Sequence, residues 1–206
     1  MTADPGGSAT KSSPIVDPRS RVAAGVLGLR LFLLSLGILF GAVLVGYVVV
    51  RLSPALESTF EIPPLPRGLW LSTLFLLCSS GTIHLALTGV RRERPRRLRV
   101  GMVATIALGW AFLATQTLCW ISWAGPLRSS LAEAQRAFLV TSFYVLTGLH
   151  AIHVIGGLVP LTVVTSRAFG DRYTSADHAG VRYCAMYWHF LDVVWLVLFA
   201  TLMVAA

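Results

Sequence analysis

Few side chains in this sequence could carry chemistry, and most of those that could are histidines. His150 and His153 stand three residues apart in GLHAIHVIGGL, Gly148 to Leu158. His189 and Asp192, also three apart, stand in YWHFLDVVWLVLF, Tyr187 to Phe199. At 3.6 residues per turn such pairs share one helix face. Gly157 falls in the arc of the first pair, and Trp188 and Trp195 in that of the second. His84 shares a stripe with Thr73, Ser80 and Thr88, while Gln116 and Cys119 share another with Thr105, Gly109 and Trp123. Imidazoles facing one another across helices can hold a metal or a haem, and a carboxylate among them can relay protons. Equally, such groups can simply hydrogen-bond one helix to the next. Two histidines do not complete a zinc or iron site. A third ligand would have to be His84, His189 or Asp192, and without it no metal is expected. Cys78, Cys119 and Cys184 lie in separate apolar runs without C-x-x-C spacing, so they read as small packing residues.

The elements that hold these groups are apolar runs. Of 206 residues, 55% are hydrophobic and only 13% charged, against about 25% charged in soluble domains. Five runs are free of charge but for Asp192: 31–50, 68–90, 100–127, 137–166 and 183–206. Each is long enough to cross a ~30 Å hydrocarbon core as a helix. The expected class is therefore all-α, a polytopic membrane protein of five transmembrane helices over 31–206. Residues 1–30, rich in Gly, Ser, Thr and Pro, are expected to be a disordered cytoplasmic tail. Pro160 is expected to kink the fourth helix near its end. Pro54, Pro63, Pro64 and Pro66 stiffen the connection from the first helix to the second.

The net charge of +8 does not indicate nucleic acid, because the cations lie in the connections between apolar runs. The tail, the 91–99 loop and the 167–182 loop hold 4 + 6 + 3 = 13 Lys and Arg; segments 51–67 and 128–136 hold 2 + 2 = 4. The positive-inside rule then places the N-terminus in the cytoplasm and the C-terminus outside. RRERPRRLR, Arg91 to Arg99, is the largest such cluster and reads as a topology determinant, or as a patch for anionic lipid or a partner.

Asp192 is the anomaly. A carboxylate in an apolar span costs roughly 2.5–3.5 kcal/mol on insertion scales, so it calls for a partner. Depth points to the fourth helix. Asp192 is ~14 Å from the cytoplasmic end of its run and His153 ~20 Å from that of its own, at 1.5 Å per residue. The expectation is that His150 and His153, with His189, satisfy Asp192 and fasten helices four and five. A proton relay and a metal site are the competing uses.

GLHAIHVIGGL and YWHFLDVVWLVLF, in that order on the last two helices, resemble subunit III of the haem–copper respiratory oxidases. LWLSTLFLLCSSGTIHLAL in helix two and GWAFLATQTLCW in helix three extend the resemblance, which runs from Glu61 to Phe199. Five helices resemble the short bacterial form, which lacks the first two helices of a seven-helix version. The resemblance implies a subunit-III-like bundle in the bacterial inner (plasma) membrane. The chain would be an accessory subunit of a cytochrome c oxidase, without a catalytic centre or cofactor of its own. Haem and copper would lie in partner subunits I and II, and structural phospholipid would bind between helices. The implied role is to stabilise subunit I and support proton uptake during reduction of O2 to water. Two positions depart from the family pattern: Leu36 follows Ser35 where a carboxylate is common, and Cys119 replaces an acid in helix three. Those losses weaken a proton role for helices one and three. A quinol oxidase subunit III or a nitric-oxide-reductase-associated relative are the neighbouring readings, and a His-ligated membrane cytochrome or metalloenzyme the distant one. The electron donor, cytochrome c or quinol, stays open.

Overall fold

A computed structural model describes residues 18–51, 67–130, 134–175 and 177–205. Residues 1–17 of the expected tail and the proline-rich 52–66 connection lie outside the described residues, as does the side chain of Trp123. The elements are five helices, α1 (Pro18–Arg51), α2 (Gly68–Arg91), α3 (Pro95–Ser130), α4 (Ala134–Phe169) and α5 (Ala179–Ala205). All five are long and apolar enough to cross a membrane. Most of their outward side chains are apolar, among them Ile38, Trp70, Leu118, Ile152 and Val193. That arrangement suits a hydrocarbon solvent, in which backbone polar groups must be satisfied within the helix.

Most of the helices run past their apolar spans, and the first departs furthest. Residues 18–30 are helical, so the described part of the expected tail is an extension of α1. The basic residues that close an apolar run do not end a helix, since Arg is a good helix former. Pro18 and Pro95 occupy first-turn positions, where the missing N–H is not needed. Pro160 lies inside an unbroken α4.

α2, α3, α4 and α5 form a ring in which each helix packs on the next, and α1 lies against α4 and α5. α2 and α3 are the closest pair. A Cβ at Gly101 would stand 2.7 Å from the Thr82 carbonyl oxygen, so no larger residue fits there. α5 is the hub, and its aromatic side chains sit on glycines of other helices. Tyr183 covers Gly25 and Phe190 covers Gly37 on α1; Trp188 covers Gly109 on α3; Tyr187 covers Gly157 on α4. Small residues let membrane helices approach closely when no hydrophobic force drives them together.

At one end of the bundle two helix caps are tied together. α2 closes with the Arg94 N–H on the Gly89 carbonyl and the Glu93 N–H on that of Val90. α4 closes with the Arg172 N–H on the Arg167 carbonyl. Both place an acid, Glu93 (φ 53°) or Asp171 (φ 51°), in the left-handed position that glycine usually takes. Each acid is used across the gap: Glu93 accepts from Ser175, and Asp171 pairs with Arg99. Arg99 also donates to the Ala168 carbonyl at 3.2 Å, capping α4.

Candidate functional site

α5 turns its polar-aromatic stripe toward α2. Trp188 Nε1 donates to Ser79 Oγ at 2.8 Å, and Trp195 Nε1 donates to Thr73 Oγ1 at 2.9 Å. Each hydroxyl passes its own proton back along α2, Ser79 to the Leu76 carbonyl and Thr73 to that of Leu69. Indole is a donor only, so each relay satisfies every proton in it. The same unit joins α3 to α4: Trp120 Nε1 donates to Thr147 Oγ1 at 3.0 Å, and Thr147 donates to the Phe143 carbonyl. Tyr144 adds a second bond, its hydroxyl donating to the Trp120 carbonyl.

His189 and Asp192 belong to this α2–α5 seam. His189 Nδ1 lies 2.8 Å from Ser80 Oγ and 3.7 Å from Asp192 Oδ2. His84, one turn along α2 from Ser80, brings its ring centroid 6.5 Å from that of His189. Asp192 is 4% exposed, and neither of its oxygens has a hydrogen-bond donor among the described residues.

The expected fastening of Asp192 to His150 and His153 is not what the structure forms. His153 Nδ1 is spent on its own helix, 2.7 Å from the Leu149 carbonyl. His150 is fully buried in an aromatic box of Phe40, Phe112 and Trp195, and neither ring nitrogen has a partner among the described residues. The reason is angular. Asp192 shares its face with Trp188 and Trp195, which are bonded to α2, whereas Tyr187 and Leu191 face α4. α4 and α5 are joined instead by the Tyr187 hydroxyl, which donates to the His153 carbonyl at 3.0 Å across Gly157.

The secondary stripe is divided. His84 is exposed on α2, Cys119 is buried over Gly68, and Gln116 is 1% exposed with neither amide atom bonded among the described residues. Gln116 therefore makes no side-chain bond to another helix among the described residues. Ser79 and Tyr187 carry bonds that the sequence reading did not assign. The available signal was the surplus of buried indole donors, each needing a hydroxyl at matching depth. Among the described residues no three His, Cys, Asp or Glu converge where a metal could bind. Hydrogen bonds between helices fasten α2 to α5, α3 to α4 and α4 to α5.

Comparison with known proteins agrees with the two motifs. Residues 17–205 match the family described as cytochrome c oxidase subunit III. Cytochrome c oxidase subunit 3 of Thermostichus vulcanus is 31% identical over 184 residues, covering 86% of this chain and 85% of that protein. The Synechocystis protein of the same name is 33% identical over 178 residues, 84% of this chain and 72% of its own length. The one from Neurospora crassa is 36% identical over 183 residues, 84% of this chain and 64% of the relative.

Proposed function

The chain belongs to the cytochrome c oxidase subunit III family, and from that membership we propose that it is the accessory, non-catalytic subunit of a terminal oxidase. In this reading it packs against catalytic subunit I in a complex with subunit II, which hold the haem and copper. It holds structural phospholipid and supports proton uptake while O2 is reduced to water. The orientation follows the cations, N-terminus in the cytoplasm of a bacterial cell and C-terminus outside. Cytochrome c is the donor, in keeping with the names of its relatives.

The observation that carries a non-catalytic role is the use of the polar groups inside the spans. Trp188, Trp195, Trp120, Tyr144 and Tyr187 all bond to neighbouring helices, which leaves the bundle fastened. Purifying the complex tests the reading. The chain should co-purify with haem–copper subunits, and when isolated it should show no Soret band and no stoichiometric metal. An oxidase depleted of it should keep its haem and copper and its initial rate of ferrocytochrome c oxidation, then lose activity sooner during turnover. Haem in the isolated chain, or immediate loss of O2 reduction on depletion, would overturn it.

A further inference from the structure

The α2–α3 turn carries a cationic patch that the fastening of the bundle does not use. Arg91, Arg92, Arg94, Arg96 and Arg97 are all exposed, and none pairs with an acid among the described residues. The two acids nearby are engaged elsewhere: Glu93 accepts from Ser175, and Asp171 pairs with Arg99. The turn is also held fixed. The Arg94 N–H donates to the Gly89 carbonyl, the Arg94 carbonyl accepts from the N–H groups of Arg97 and Leu98, and a Cβ on Gly89 would lie 2.8 Å from the Leu98 nitrogen. Like charges held together repel one another. Arg96 and Arg97 stand moreover in the first turn of α3, which contains no acid. A helix N-terminus is itself positive, so cations are unfavourable there. A signal for topology alone would lie as well on the last turn of α2, where the dipole favours cations. The uncompensated charge calls for an anion.

We propose that this patch binds the phosphate headgroups of anionic phospholipid in the adjoining leaflet. A guanidinium grips two phosphate oxygens at once, and the Cβ directions of a helix lean Arg96 and Arg97 toward the open end of α3. Depth and surroundings favour lipid over an acidic segment of a partner protein. The apolar spans of α2 and α3 end at Arg91 and Pro95, which sets the cations at headgroup level. Below them Leu85 on α2 and Val100 and Val103 on α3 are exposed and suit acyl chains. The inference gives a place and a headgroup class to the phospholipid of the proposed function, and it rests on that reading only for the lipid's structural use.

The test titrates the full chain, stripped of lipid in a neutral detergent, with phosphatidylglycerol and with phosphatidylcholine. Lipid bound per chain is counted by mass spectrometry of the intact complex. Phosphatidylglycerol should bind about tenfold more tightly, and Arg96→Gln with Arg97→Gln should remove most of that preference. Gln is a good helix former, so the double variant should unfold as the parent does. Arg91→Gln with Arg92→Gln, on the α2 side of the patch, should lower the preference too. Arg30→Gln with Arg67→Gln removes the same charge from exposed positions outside the turn and should leave the preference intact. Equal losses from pairs inside and outside the turn would reduce the effect to net charge and overturn the site. No preference in the parent, or binding of a polyglutamate peptide in place of phosphatidylglycerol, would overturn it as well. Those outcomes leave the subunit reading standing; that reading falls instead if the chain fails to co-purify with any oxidase subunit.

Discussion

Trp195 and Thr73 show how a buried donor ranks substitutions. Thr73→Val keeps the shape but leaves the Trp195 indole N–H without its acceptor. An orphaned buried donor costs about 1–3 kcal/mol, so the variant should unfold at lower denaturant in detergent micelles. Adding Trp195→Phe should recover part of that loss, because the orphan is removed. Gly157 makes a different point. A Cβ there would lie 2.7 Å from Tyr187 Cε1, so Gly157→Ala overpacks the α4–α5 contact by about 1–3 kcal/mol. Tyr187→Ala in the same chain should suppress the effect, whereas Gly148→Ala, which meets nothing within 4 Å, should be silent. Asp192→Asn should reduce recovery of the assembled complex more than it changes the initial turnover of the complex that forms. Normal recovery with immediate loss of O2 reduction would contradict that.

At the level of whole helices, the tied caps explain why α2–α3 and α4–α5 turn where they do. Asp171 holds a left-handed backbone that disfavours side chains by roughly 1–2 kcal/mol. Its pair with Arg99 is 72% exposed on the Asp171 side and contributes roughly 0–1 kcal/mol. Asp171→Gly should therefore be close to neutral in thermal unfolding, because relief of strain offsets the lost pair. Arg99→Ala should destabilise, since it also removes the cap on the Ala168 carbonyl. An Asp171→Gly chain as damaged as Arg99→Ala would mean the pair matters more than its exposure suggests.

On the scale of the molecule, α5 binds the bundle through glycine seats and indole bonds while most of the outer surface is apolar. The proposed orientation rests on charge. Arg94 lies exposed in the α2–α3 turn, so Arg94→Cys should react with a membrane-impermeant maleimide in inside-out vesicles and not in intact cells. The reverse pattern would refute the orientation drawn from the Arg distribution.

Number, order and class of helices were legible in the chain, because crossing a hydrocarbon core demands apolar length and Asp192 alone interrupts it. The faces were legible too: helical periodicity places Trp188, Asp192 and Trp195 on one stripe whatever surrounds them. Helix ends were not, since Arg96 and Arg97 prolong a helix as readily as they border a membrane. Nor was the neighbour that each face meets. Periodicity sets an angle about a helix's own axis and says nothing of which helix lies at that angle. Asp192 was expected to look toward His150 and His153; packing set it beside His189, which bonds Ser80 on α2 rather than a residue of α4. That choice is made by glycine seats and hydroxyl depths on four helices at once, and only the folded bundle brings them together.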